Sequence, residues 1–242
     1  MDTSYWIQCN PRITVEHTSK KFYGKFLYKI ALHCPAGRLI DGKGTMADLL
    51  EHRKTVYKHI NQSGWWGRNI KNSKDLDHAD VTLLETLRTI RKTFSGIKLR
   101  VEEPCVQIYA NTELELINLV KEQLNKFAYR VESICGPESQ ESEQLLNSGA
   151  IIRKKHNGYR YKVILRDGRY SGGIKDSILQ YLNGLSDEQV HITKTCKEMF
   201  TKPNSFLWNC YFYTNDPNIT TFINLMSPGI VSNIHELVIL HQ

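Results

Sequence analysis

Two short stretches carry tyrosines at a spacing of two, interleaved in the first with cations. Residues 159–166 read Tyr-Arg-Tyr-Lys-Val-Ile-Leu-Arg, and residues 208–215 read Trp-Asn-Cys-Tyr-Phe-Tyr-Thr-Asn. As strands they sort by alternation. Tyr161, Val163 and Leu165 go to a core face with Trp208, Cys210 and Phe212. Arg160, Lys162 and Arg166 go to the opposite face beside Asn209, Tyr211 and Tyr213. Aromatic rings stack on unpaired bases and cations neutralise phosphates, so the second face is a candidate nucleic-acid platform. An earlier pair of stretches repeats the theme, with Lys29 and His33 expected beside Gln107 and Tyr109. The RNP1 pattern of RNA-recognition sheets is absent from these strands.

Loops and basic clusters extend the same chemistry. Ser63-Gly64-Trp65-Trp66-Gly67-Arg68 places two adjacent indoles and a cation between glycines, a candidate stacking or partner-binding tip. Basic clusters occur at Lys20-Lys21, Arg53-Lys54 with Lys58, Arg88 with Arg91-Lys92, and Arg153-Lys154-Lys155-His156. Singly, such clusters read as solvated surface; together they favour a polyanion. Gly168-Arg169-Tyr170-Ser171-Gly172-Gly173 reads as a glycine-rich turn into a helix and lacks the P-loop pattern.

Other chemistries find little support. Among nine histidines there is no HExxH, and no His/Asp/Glu cluster has metal-ligand spacing, so neither a metal nor a cofactor is expected. The six cysteines form no CxxC pair and read as buried reduced thiols. No GxSxG elbow is present.

The elements that must carry these residues follow from charge and periodicity. The net charge is +7 and the pI near 9.0. Residues 17–100 carry net +10, 101–149 net −6, 150–202 net +6 and 203–242 net −2. That alternation suggests a repeated unit with a basic first half. Two pairs of segments support it: 24–32 with 158–165, and 105–111 with 210–215. The second pair is followed in each case by an apolar helical pattern containing Ile-Asn-Leu. Each half reads β-α-β-β-α-β, so the expected fold is α+β, two tandem ferredoxin-like units, the first with an extra helix and loop. The expected boundaries are 1–136 for unit one, 137–149 for a polar linker and 150–242 for unit two.

Tandem ferredoxin-like units with basic surfaces are similar in architecture to the Cas6 family of CRISPR RNA-processing endonucleases. The resemblance lies in fold order alone. The family's glycine-rich motif near the C-terminus is not visible, since residues 203–242 hold one glycine, Gly229. No catalytic residue is carried over; His33 and His156 would be the first to test for cleavage. The leading expectation is a nucleic-acid-binding protein, with RNA or single-stranded DNA favoured as partner. The alternatives are a metal-independent RNA endonuclease and a structural or assembly protein, viral in origin, that forms a homo-oligomer through complementary charged surfaces. No apolar run of about 18 residues is present and the start lacks a secretory pattern. A membrane is therefore not an expected partner. A cytoplasmic location is expected, or the virion or host cell for a viral protein.

Overall fold

Period-two apolar patterns form the strands and period-3.6 patterns form the helices that cover them. The computed structural model describes residues 1–63, 76–202 and 206–240, with the backbone alone over 55–63. The chain divides into Met1–Ser139 and Gln140–Gln242. Each unit is mixed α+β with its own five-stranded mixed sheet, and no barrel closes among the described residues.

Unit 1 runs α1 (Thr3–Cys9), β1 (Thr14–His17), β2 (Tyr28–His33), α2 (Met46–Ser63), α3 (His78–Thr93), β3 (Lys98–Glu102), β4 (Cys105–Ala110), α4 (Glu113–Gln123) and β5 (Val131–Gly136). The helix starts are written in the sequence. Asp48 Oδ2 accepts from the Thr45 amide at 3.0 Å, and the Asp48 amide donates back to Thr45 Oγ1 at 3.2 Å. Asp77 caps α3 by accepting from the Asp80 amide, and Thr112 with Glu115 forms a reciprocal capping box on α4. Leu83, Leu84, Leu87 and Ile90 bury one stripe of α3. Strand order is β1-β5-β2-β4-β3, with β1 parallel to β5 and the other pairs antiparallel. Ile30, Leu32, Val106, Ile108 and Ile134 are fully buried at its centre.

Unit 2 runs α5 (Gln140–Asn147), β6 (Ile151–Arg153), β7 (Tyr161–Leu165), β8 (Gly168–Arg169), α6 (Gly172–Asn183), β9 (Val190–Ile192), α7 (Lys194–Thr201), β10 (Phe206–Leu207), β11 (Tyr211–Thr214), α8 (Ile219–Met226) and β12 (Val231–Ile239). Its sheet order is β6-β12-β7-β11-β9, with β6 parallel to β12 and the other pairs antiparallel. The order and strand senses match those of unit 1. Val163, Leu165 and Phe212 pack with Ile178 and Leu182 of α6, Phe200 of α7 and Ile223 of α8 in one core. All six cysteines are free thiols, and five are buried. No helix among the described residues is long and apolar enough to cross a membrane.

Several expectations are corrected. Each sheet has five strands, because β1 and β6 add parallel edge strands that four-stranded units would lack. The expected linker over 137–149 is helical across Gln140–Asn147, and Ser142 and Leu146 are buried there. The stretch 206–213 is two strands. Asn209 adopts a left-handed φ of 52° and its amide donates to Asp167 Oδ1 at 2.8 Å, which breaks the run. The break resets the alternation, so Trp208 lies 64% exposed instead of joining Cys210 and Phe212 in the core. Tyr161 is half-buried, unlike Val163 and Leu165.

Candidate nucleic-acid interface

Lys162 of β7 sits opposite Tyr213 of β11, and the same row continues to His235 of β12 on one side and His191 of β9 on the other. Phe212 and Val163, one residue along, point into the core. The alternation therefore turns Lys162, Tyr211, Tyr213 and His191 to the face away from α6, α7 and α8. The rings there cluster. Tyr159, His191 and Tyr213 have centroids 5.9–6.2 Å apart, with planes tilted by only 22–30°. Tyr211 meets Tyr213 edge to face at 5.7 Å. Cations lie over these rings: Lys162 Nζ is 3.7 Å from the Tyr211 centroid, and the Arg153 guanidinium is 5.7 Å from that of Tyr213. Arg153 Nη1 also donates to the Tyr213 hydroxyl at 3.4 Å. Burial and the neighbouring Tyr213 hold the Tyr211 phenol above its ordinary pKa, so it stays neutral and able to donate a hydrogen bond. The tyrosines are half-buried and His191 is exposed. Such a face offers flat apolar area, hydrogen-bonding hydroxyls and positive charge together.

Unit 1 builds the same row and covers it. Lys29 of β2 pairs with Tyr109 of β4, and the row continues to Cys135 of β5 and Lys98 of β3. Tyr109 is only 5% exposed and Gln107 8%. The cover is the turn Phe22–Phe26, closed by a bridge between those two residues and by left-handed φ values at Tyr23 (54°) and Gly24 (67°). Phe22, Tyr23 and Phe26 place their rings 5.5, 5.1 and 6.2 Å from Tyr109. The turn also engages the cations: Lys98 Nζ lies 3.4 Å from the Tyr23 centroid, Lys29 Nζ lies 5.5 Å from that of Phe22, and Arg100 donates to the Tyr23 hydroxyl at 2.9 Å. Tyr109 and Lys29, expected on an open platform, are thus enclosed by chain from another part of the same unit.

The remaining expected residues scatter. Arg160 is exposed, but its guanidinium is held by Glu236 at 3.0 Å, which raises its pKa and offsets its charge. Arg166, Lys154 and Lys155 are exposed, the two lysines just beyond β6. Trp65, Trp66 and Arg68 lie outside the described residues. His33 belongs to β2 of unit 1, and His156, in unit 2, accepts from the Gly158 amide at 2.9 Å. Tyr159 and His191 escaped notice as platform residues. Tyr159 precedes its strand, and His191 joins the row through the pairing of the edge strand β9 with β11. Alternation placed Lys162 and Tyr213 on one face, and strand pairing extended that row to His191 and His235.

Comparison with protein-family models, with curated proteins and with solved structures finds no match for this chain, so the reading of its surfaces rests on its own residues.

Proposed function

We propose that unit 2 binds single-stranded nucleic acid, RNA or DNA, by stacking bases on Tyr211, Tyr213, His191 and Tyr159 while Lys162, Arg153, Lys154 and Lys155 meet the backbone. The observation that carries this reading is the cluster of near-parallel rings with cations over them, on a sheet face whose tyrosines remain partly accessible. We further propose that each unit is a ferredoxin-like βαββαβ fold with one added edge strand, the product of an internal duplication. Its support is the shared strand order and the matching Lys–Tyr rows. In this reading the basic net charge brings the polyanion to the chain, and the rings select unpaired strands.

The test is binding of labelled single-stranded RNA, single-stranded DNA and duplex DNA across a salt series. Base–aromatic stacking contributes about 1–3 kcal/mol per base, so Tyr211→Ala with Tyr213→Ala should weaken single-strand binding by roughly tenfold or more. Binding that prefers duplex, or that is indifferent to the double substitution, would refute the platform. No binding even at low salt, together with a defined oligomer in size-exclusion scattering, would replace it with an assembly role.

A further inference from the structure

The end of the unit 1 sheet holds a side-chain cluster that the nucleic-acid reading does not use. His33 closes β2, and Cys105 opens β4 directly opposite it as its cross-strand partner. Glu132 lies near the start of β5, on the other side of β2, where the β2–β5 register shifts between Ala31 and Leu32. Three adjacent strands therefore deliver an imidazole nitrogen, a sulfur and a carboxylate oxygen to one point. These three donor atoms all lie within 4.8 Å of one another. Glu132 bridges the other two, with Oε1 3.0 Å from His33 Nδ1 and Oε2 accepting from the Cys105 thiol at 3.1 Å.

We propose that His33 Nδ1, Cys105 Sγ and Glu132 form a three-residue binding site for a divalent zinc ion. The donor set suits that ion: zinc takes nitrogen, sulfur and oxygen ligands with tetrahedral geometry, and thiolate disfavours magnesium and calcium. The separations suit it as well. Bonds of about 2.0–2.3 Å in a tetrahedron need donors roughly 3.3–3.8 Å apart; the contacts to Glu132, 3.0 Å through Oε1 and 3.1 Å through Oε2, are shorter than this and the whole set spans no more than 4.8 Å, so small side-chain shifts bring the three donors to that spacing. One atom lacks a satisfying partner without a metal. His33 Nδ1 is shielded from solvent and makes no hydrogen bond, although Glu132 Oε1 is 3.0 Å away. A metal ion ligated at Nδ1 would resolve that deficit.

Zinc would displace the Cys105 thiol proton and take the thiolate as a ligand. A cleft of about 460 Å³ opens beside His33 and Glu132, with Asp77, Asp80 and Arg130 on its walls. All three of those wall groups are already engaged, since Asp77 caps α3 and Asp80 pairs with Arg130. The fourth tetrahedral position would face this cleft and hold water, as in zinc sites that keep one exchangeable ligand.

The experiment strips the full chain with a chelator and titrates it with cobalt(II), whose thiolate charge-transfer and d–d bands report sulfur ligation in a tetrahedral field. The expected result is one cobalt per chain, displaced by zinc, with the charge-transfer band lost in Cys105→Ser and kept in Cys135→Ser. Glu132→Gln preserves the shape of an exposed side chain, so it decides the matter if Cys105→Ser fails to fold. It should weaken cobalt affinity at least about tenfold with an unchanged circular-dichroism spectrum. A wild-type chain without a thiolate band, a band that survives Cys105→Ser, or unchanged affinity in Glu132→Gln overturns the site. None of these readouts involves nucleic acid.

Discussion

Unit 1 and unit 2 set a lysine opposite a tyrosine at the same place in sheets of the same order, yet the two tyrosines meet different fates. Tyr109 lies under Phe22, Tyr23 and Phe26, whereas Tyr213 keeps part of its ring accessible beside Tyr159 and His191. The difference traces to the segment that precedes the central strand. In unit 1 it doubles back through the left-handed Tyr23 and Gly24 and lays three rings on the sheet. In unit 2 it contributes Tyr159, whose hydroxyl is drawn off to the Asp187 carbonyl. Aromatic pairs are worth about 0.5–1.5 kcal/mol beyond their buried area, so the turn of unit 1 is a stabilising element. A shared strand plan thus yields a packed face in one unit and a presented face in the other.

The sharpest way to break this comparison is to truncate the two tyrosines in parallel. Tyr109→Ala should cost about 3 kcal/mol of stability in urea unfolding, as for other large buried aromatics, and leave single-strand affinity unchanged. Tyr213→Ala should do the reverse, losing affinity with a stability change below about 1 kcal/mol; equal stability losses would mean both rings serve the core. Removing the cover is the next test. Phe22→Ala with Tyr23→Ala should bare Tyr109, Lys29 and Lys98 and tighten single-strand binding about fivefold, the worth of roughly 1 kcal/mol from one new stacked base. Unchanged affinity would show that the unit 1 row is not a latent platform. Lysine substitutions sharpen the contrast on a smaller scale. Lys162→Ala should reduce the slope of log affinity against log salt by about 0.7, while Lys29→Ala should leave it unaltered. Smallest of all, Tyr213→Phe keeps the ring and removes the hydroxyl's contacts with Arg153, at 3.4 Å, and with Tyr211, so its affinity should stay within about 0.5 kcal/mol of wild type.

Much of the local structure was legible along the chain. The helix-start residues Thr45 with Asp48, and Asp80 near the start of α3, stand in the sequence where the structure begins those helices, and period two separated Val163 and Phe212 from Lys162 and Tyr213. Trp208 was misplaced because a single left-handed residue, Asn209, restarts the alternation, and asparagine tolerates that conformation without advertising it. The edge strands β1 and β6 escaped for another reason. Each is at most four residues long and gains its strand character from parallel pairing with the last strand of its unit.

What the sequence determined by itself was which side of an unbroken strand a residue leaves, where helices begin, and that the charge is basic and distributed in blocks. Those properties depend on neighbours a few residues away. Whether a face stays open was decided only by the tertiary structure, because the rings that close over Tyr109 come from a turn distant in the chain. The meeting of His33, Cys105 and Glu132 is of the same kind. Metal-ligand spacing is readable when the ligands share one turn or helix, but here strand pairing across β5, β2 and β4 creates the proximity, and pairing is set by the burial of the whole sheet.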